Sequence, residues 1–475
     1  MLRDRRDRRL LLVLIPGVAF FATAAVLSLA ADTPVSQQPL PGWSRPGEDW
    51  PSFLGPTANG RSQVTGIACP WPEAGPRQCW QLELGEGYCS PAVAQGVALV
   101  FDRVGGENRL RCLAAETGQL LWEGRTPTDY TDMFGYDGGP RAAPVIVADR
   151  VVTYGAEGLL TCWSLQDGSQ QWQVDTAKHY HVVQNFFGVA ATPIVFQPDN
   201  EQSQPLVIVQ VGGSPLDSAP DDPQRLDLVK GLDSGLVALA LDSGAEIWRS
   251  SGELASYSTP VLTRIDGEPR LLAWMRNRLL LVNPMTGKVL DSVRWRADEL
   301  FSVVAASPVI QQGQVLLSET YGPGSIVLAI TEDRLVEVRR DPPRSRPRNA
   351  LRSHWATPVL HEGLLYGSTG RNAGDALLAC ADWTTGELRW TERGLGRASC
   401  TLVDGHLIVL GEFGDLLLVK ATPDRCEVVS QCRLINAERG SELLAPPCWA
   451  APVIAHGYCY VRGAGRLVCL DLLGG

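Results

Sequence analysis

A small residue followed by proline opens a β-prone run at seven places in this chain: Ser90-Pro91, Ala143-Pro144, Thr192-Pro193, Thr259-Pro260, Ser307-Pro308, Thr357-Pro358 and Ala451-Pro452. Ser399-Cys400 is a degenerate eighth copy, and successive starts lie 53, 49, 67, 48, 50, 42 and 52 residues apart. A second phrase recurs later in the repeat: AETGQLLW (115–122), LQDGSQQW (165–172), LDSGAEIW (241–248) and WTTGELRW (383–390). In PMTGKVLD (284–291) the glycine stays and Asp291 stands where the others have tryptophan. Glycine at this point supplies the positive φ of a tight turn between strands. The tryptophan four residues on can anchor the outer strand and pack over the next repeat.

Between the two phrases lie apolar runs split by turn residues, such as 97–101 and 110–114 around 102–109. Each repeat therefore holds four short strands, A to D. Four strands at this period form a propeller blade. The last repeat stops after strand C, at 466–472, and Gln78-Cys79-Trp80-Gln81-Leu82 near the other end is free to serve as its strand D. Joining the chain ends in one blade removes two sheet edges. The expectation is an all-β, eight-bladed β-propeller of four-stranded antiparallel blades over residues 71–475.

These repeats resemble the PQQ-like β-propeller family, shared by quinoprotein alcohol dehydrogenases and the propeller lipoprotein of outer-membrane assembly. The resemblance covers nearly all of the chain after Trp50. The opening Asp49-Trp50-Pro51-Ser52-Phe53-Leu54-Gly55-Pro56, with Asn59-Gly60, is similar to the start of many exported bacterial members. The family's enzymes stack PQQ between a tryptophan floor and a disulfide of adjacent cysteines, beside a calcium held by Glu, Asn and Asp. Glu319, Glu412 and Asn185 are the right types for such a hard cation. No two of the 12 cysteines are adjacent, however, and no Cys-x-x-Cys-His haem attachment occurs. The sequence is therefore read as carrying no cofactor, with PQQ and calcium as the alternative.

Ahead of the repeats, Arg3, Arg5, Arg6, Arg8 and Arg9 precede an apolar run from Leu10 to Ala30. Basic flank and apolar run are the parts of a signal peptide or an N-terminal membrane anchor, here 1–31. Either places the rest outside the cytoplasm, in the periplasm or tethered to the cytoplasmic membrane. Residues 32–70 read as a linker and N-terminal extension. A net charge of −10 offers no basic footprint for nucleic acid. The expected partner is a small molecule or an envelope protein, and the expected state a monomer.

In a propeller the B–C turns and the D-to-A links gather around one mouth of the axial channel. Tyr130, Asp132, Tyr136 and Arg141, then Asn185, then His354, come from the links; Glu319, Tyr321, Arg371 and Glu412 come from the turns. These ten are the expected ligand-binding residues, and no catalytic or metal-binding residue is assigned. An insertion at 214–230, in the third repeat's B–C turn, is placed to cover part of the mouth. The functional expectation is an exported, non-catalytic scaffold that binds a ligand or protein at the cell envelope. The alternatives are a PQQ-dependent dehydrogenase and a carbohydrate-binding or carbohydrate-processing propeller.

Three further readings concern single residues. Cys112, Cys162, Cys380 and Cys469 share one strand C position and are expected as core hydrophobes. Cys69 with Cys79, and Cys426 with Cys432, are close enough along the chain for disulfides. His361, His406 and His456 fall in A–B turns on the far face and are expected to be solvated.

Overall fold

The structure, a computed structural model, describes residues 39–200, 202–342, 350–436 and 439–474. The expected N-terminal signal or anchor, the first residues of the expected linker and half of the arginine-rich 339–352 stretch lie outside these residues. Among the described residues, eight antiparallel sheets follow one another along the chain. Blade 1 has strands A to D at Ala92–Ala94, Val97–Val104, Glu107–Ala114 and Leu120–Pro127. Blades 2 to 7 occupy 145–175, 194–250, 261–294, 309–340, 359–392 and 399–433. Blade 8 takes strands A to C from 453–471, and its strand D is Arg77–Glu83. There Gln78 pairs with Leu470 and Trp80 with Cys469, so the two ends close the ring as the sequence indicated.

The small-residue-proline phrase has a structural cause. Strand A lies innermost, so the backbone N–H at its entry has no neighbouring strand to bond and needs another acceptor. The hydroxyl one blade on supplies it: Ala143 N donates to Thr192 Oγ1 (3.1 Å), Thr192 N to Thr259 Oγ1 (3.0 Å), Thr259 N to Ser307 Oγ (3.2 Å) and Ser307 N to Thr357 Oγ1 (2.9 Å). The glycine-tryptophan phrase works at the outer edge. Trp122 lies over Gly168 of blade 2, whose φ of +71° and lack of a side chain leave room for the ring. Its Nε1 donates to the Leu165 carbonyl at 2.9 Å. Trp80, Trp172 and Trp248 repeat this over Gly118, Gly244 and Gly287. Cys112, Cys162, Cys380 and Cys469 pair across the sheet with Trp122, Trp172, Trp390 and Trp80 of the outer strands and are fully buried, as core residues.

From residue 39 on, the stretch expected as linker and extension packs on the propeller. Trp50 exchanges two backbone hydrogen bonds with Val93, Ile146 N donates to the Pro51 carbonyl, and Leu402 N donates to that of Gly60. Arg61–Ser62 then pairs in parallel with Leu402–Val403. Val93, Ile146 and Leu402 sit on the innermost strands of blades 1, 2 and 7, so residues 50–62 plug the axial channel. Gly55, at φ +82°, makes the tight reversal; a side chain there would strike the buried Trp50 ring.

The same segment corrects one histidine. His456 is buried, stacked on Trp43 at 4.0 Å between ring centres and bonded to the Arg45 carbonyl and Asp49. The cysteine pairs are corrected too, since all twelve thiols are free. Cys69 faces His406 at 3.6 Å, Cys79 Sγ lies 4.0 Å from the Arg77 carbonyl, and Cys432 is buried against Gly75.

Candidate functional site

Above the plug the channel widens into a cup of about 660 Å³. Phe53 and Leu54 of the plug belong to its lining and close its lower end. Each of the eight blade junctions gives its wall a ring or a guanidinium. In order these are Tyr88, Tyr136, Phe187, Tyr257, Phe301, Trp355, Arg397 and Trp449. Phe134, Phe186, Arg141, Tyr321, His354, Arg371 and Asn372 complete the upper part. The rings touch: Trp449 lies 4.8 Å from Tyr88, 4.9 Å from Trp355 and 5.8 Å from Tyr136. Three guanidiniums stack into the same wall. Arg397 is 4.4 Å from the Trp355 ring, Arg371 is 4.3 Å from Tyr321 and Arg141 is 5.7 Å from Tyr88. Each also has an acid partner, Glu412 for Arg397, Asp132 for Arg141 and Glu299 for Arg371 at 3.3 Å, so a ligand meets the N–H groups that these pairs leave over.

The acids lie behind this wall and brace it. Asp132 is buried, pairs with Arg141 at 2.9 Å and accepts from the Phe134 and Tyr136 amides at 2.8 and 3.2 Å. Glu412 chelates Arg397 and accepts from Trp449 Nε1 at 3.0 Å. Burial alone would raise its pKa, but the Arg397 and Trp449 bonds hold it below the ordinary range. Glu319 is 2% exposed and accepts from the Tyr321 and Gly322 amides at 3.0 and 3.2 Å. Burial outweighs these amide bonds and the field of Arg352 and pushes its pKa up to about 7. His354 bonds the Tyr321 hydroxyl at 2.9 Å. Burial, together with the nearby Arg397 and Arg371, drives its pKa down to about 3, so it is neutral at physiological pH.

Of the ten residues expected from the sequence, Tyr136, Arg141, Tyr321, His354 and Arg371 line the cup. Asp132, Glu319 and Glu412 stand behind it as braces. Tyr130 is buried beneath Arg141, with its ring 5.3 Å from the guanidinium, and Asn185 donates to the Ala255 carbonyl. The 214–230 insertion contributes nothing to the lining; its Leu226 and Val229 bury against Phe186, Tyr257 and Val303 on the flank. The sequence reading missed Phe53, Leu54, Tyr88, Phe134, the Phe186-Phe187 pair, Tyr257, Phe301 and Arg397. An available signal was the aromatics two to nine residues before the small-residue-proline phrase.

The family model described as outer membrane protein assembly factor BamB matches residues 71–392, well over half of the chain. This chain belongs to that family. Among solved structures, BamB from Moraxella catarrhalis superposes with a TM-score of 0.54 at 14% identity, covering 83% of this chain and 97% of that one. The BamB family assignment and this superposition agree on the propeller. Quinohemoprotein alcohol dehydrogenase ADH-IIG of Pseudomonas putida is 25% identical over 248 residues, 44% of this chain. That match spans 33% of the dehydrogenase's own length. The quinohemoprotein alcohol dehydrogenase from Comamonas testosteroni superposes with a TM-score of 0.46 at 14% identity, over 90% of this chain and 81% of that one.

Proposed function

We propose that this BamB-family propeller is an exported, non-catalytic binding module of the cell envelope. Its cup takes a ligand with an apolar or aromatic body and an anionic group. The carrying observation is the division of labour around the cup: rings and guanidiniums face inward, while Asp132, Glu319 and Glu412 are spent as acceptors behind them. An apolar body is favoured by the rings and by the Phe53–Leu54 floor; an anion is favoured by the guanidiniums. The basic and apolar N-terminal run and the family's outer-membrane description support an envelope location. A binding role as a monomer, with no nucleic-acid partner, fits the net charge of −10 and a cup complete within one chain.

The placed residues do not fit a calcium-quinone site. Glu319 and Glu412 have their oxygens engaged by backbone and guanidinium donors, and the Asn185 oxygen is taken by the Phe186 amide. The two cysteines of the lining, Cys89 and Cys400, stand on different blades. Titration with 2-naphthoate, followed by tryptophan fluorescence, tests the binding reading. Saturable quenching is expected, with affinity reduced about tenfold or more in Arg397→Ala, the share of one charge-assisted hydrogen bond. Equal binding of 2-naphthoate and uncharged naphthalene methanol would overturn the anionic half of the proposal. Dye-linked alcohol oxidation after addition of PQQ and calcium is expected to stay at background, and turnover would restore the dehydrogenase reading.

A further inference from the structure

Among the described residues, several arginines besides Arg276, including Arg111 and Arg462, leave one buried nitrogen unbonded but hold close partners through the others. Arg462, 4% exposed, donates to the carbonyls of Gly87, Cys89 and Phe101 at 2.6, 2.7 and 3.2 Å. Arg111 and Arg141 each meet a fully buried carboxylate, Asp102 and Asp132. Arg276, in the B–C turn of blade 4, is different. It is 5% exposed, yet its side chain makes one long bond, from Nη1 to Asn185 Oδ1 at 3.4 Å. Its Nη2 is buried with no partner among the described residues. The Phe186 ring lies 5.3 Å from the guanidinium, a contact that adds no acceptor.

A second cation stands nearby. Arg296 reaches Asn277 Oδ1 at 3.2 Å and Ser302 Oγ at 2.9 Å, and neither arginine forms an ion pair among the described residues. Asp227, on the 214–230 segment, is the acid whose field reaches both, but its two oxygens are taken by Arg225 at 2.8 Å each. After burial, the charge of Arg296 is the next influence lowering the Arg276 pKa, to about 10. A buried charge without an acceptor, set beside a like charge, is unfavourable unless an anion neutralises both.

We infer that Arg276 and Arg296 form an oxyanion site beside the 214–230 segment, which takes a phosphate or carboxylate group. The inference is independent of the cup, whose lining includes neither arginine. Asn185 and Asn277, already bonded to the two guanidiniums, hold them in place for such a ligand.

The test uses the full chain in chloride-free buffer, titrated separately with inorganic phosphate and with acetate. Binding is read by calorimetry and by the thermal midpoint. Saturable binding of at least one anion, with a rise in midpoint, is expected; which of the two binds names the group. Arg276→Met and Arg296→Met should each weaken it about tenfold or more, while Arg125→Met, on the exposed outer strand of blade 1, should leave it unchanged. A midpoint indifferent to both anions, or full affinity in Arg276→Met, would overturn the site. Should Arg276→Met not fold, bromide soaked into wild-type crystals decides: an anomalous peak in contact with Arg276 supports the site, and its absence there refutes it.

Discussion

At four consecutive junctions, from blade 8 round to blade 4, an indole lies over the next blade's turn glycine. Between blades 4, 5 and 6 the same position is polar. Asp291 accepts from the Leu335 amide of blade 5 at 2.8 Å. Arg339, which the register shift places where other blades have tryptophan, lies over Gly386 and donates to the Trp383 carbonyl at 3.1 Å. Arg339 keeps the indoles' link, a donor to the carbonyl three residues before the turn glycine, whereas Asp291 replaces it with an acceptor for an amide. An indole adds a large apolar face and leaves nothing ionised, whereas an aspartate or arginine satisfies the turn but carries charge. At Arg339 the repeat is therefore kept in geometry where it is lost in sequence, and the polar sector is where the ring's stability should respond to pH.

The sharpest way to break this contrast is Trp122→Ala. It opens a cavity at an apolar junction, and a loss of about 3–5 kcal/mol is expected in chemical denaturation. A loss below that of the polar-junction variants would mean that the indoles are not the stronger links.

Next comes acidity in blade 5. Glu319 holds its proton in the fold up to about 7, against 4.5 ordinarily. The folded state thus binds the extra proton between these values, so its stabilising effect is whole in acid and lost as pH rises through about 7. Each tenfold gain in proton affinity on folding corresponds to roughly 1.4 kcal/mol. The thermal midpoint of wild type minus that of Glu319→Gln should fall from about pH 5 to about pH 8, the difference removing all other titrating groups from the comparison. A flat difference would place the carboxyl in water.

Smaller effects should follow in the polar junctions themselves. Arg339→Ala is expected to cost about 1–3 kcal/mol, and Asp291→Ala about 1 kcal/mol, by the same denaturation measurement. If both match Trp122→Ala, the distinction between the two regions fails.

Much of the propeller was legible because its constraints are local and repeated. A hydroxyl before proline and a glycine before tryptophan each solve one backbone problem per blade, so they recur at a readable spacing. Closure was legible because one blade lacked a strand and Gln78–Leu82 could supply it. Arg339 was hidden because a charged residue replaced an indole and only strand register reveals the equivalence. The cup was half legible: charged and hydroxyl-bearing residues in the links drew notice, while Phe134, Phe187 and Phe301 resembled ordinary apolar link residues. Glu319 and Glu412 were found for their chemistry, but their orientation behind the wall depends on three-dimensional hydrogen bonds to Tyr321, Arg397 and Trp449. The plug was invisible, because Trp50 to Ser62 occurs once and meets blades distant in sequence.

That plug has a consequence for any guest. Phe53 and Leu54 belong to the lining although they come from outside the repeats. A guest in the cup therefore rests on the plug as well as on the blades, and substitutions at Phe53 or Leu54 would reshape its seat without touching a single blade strand.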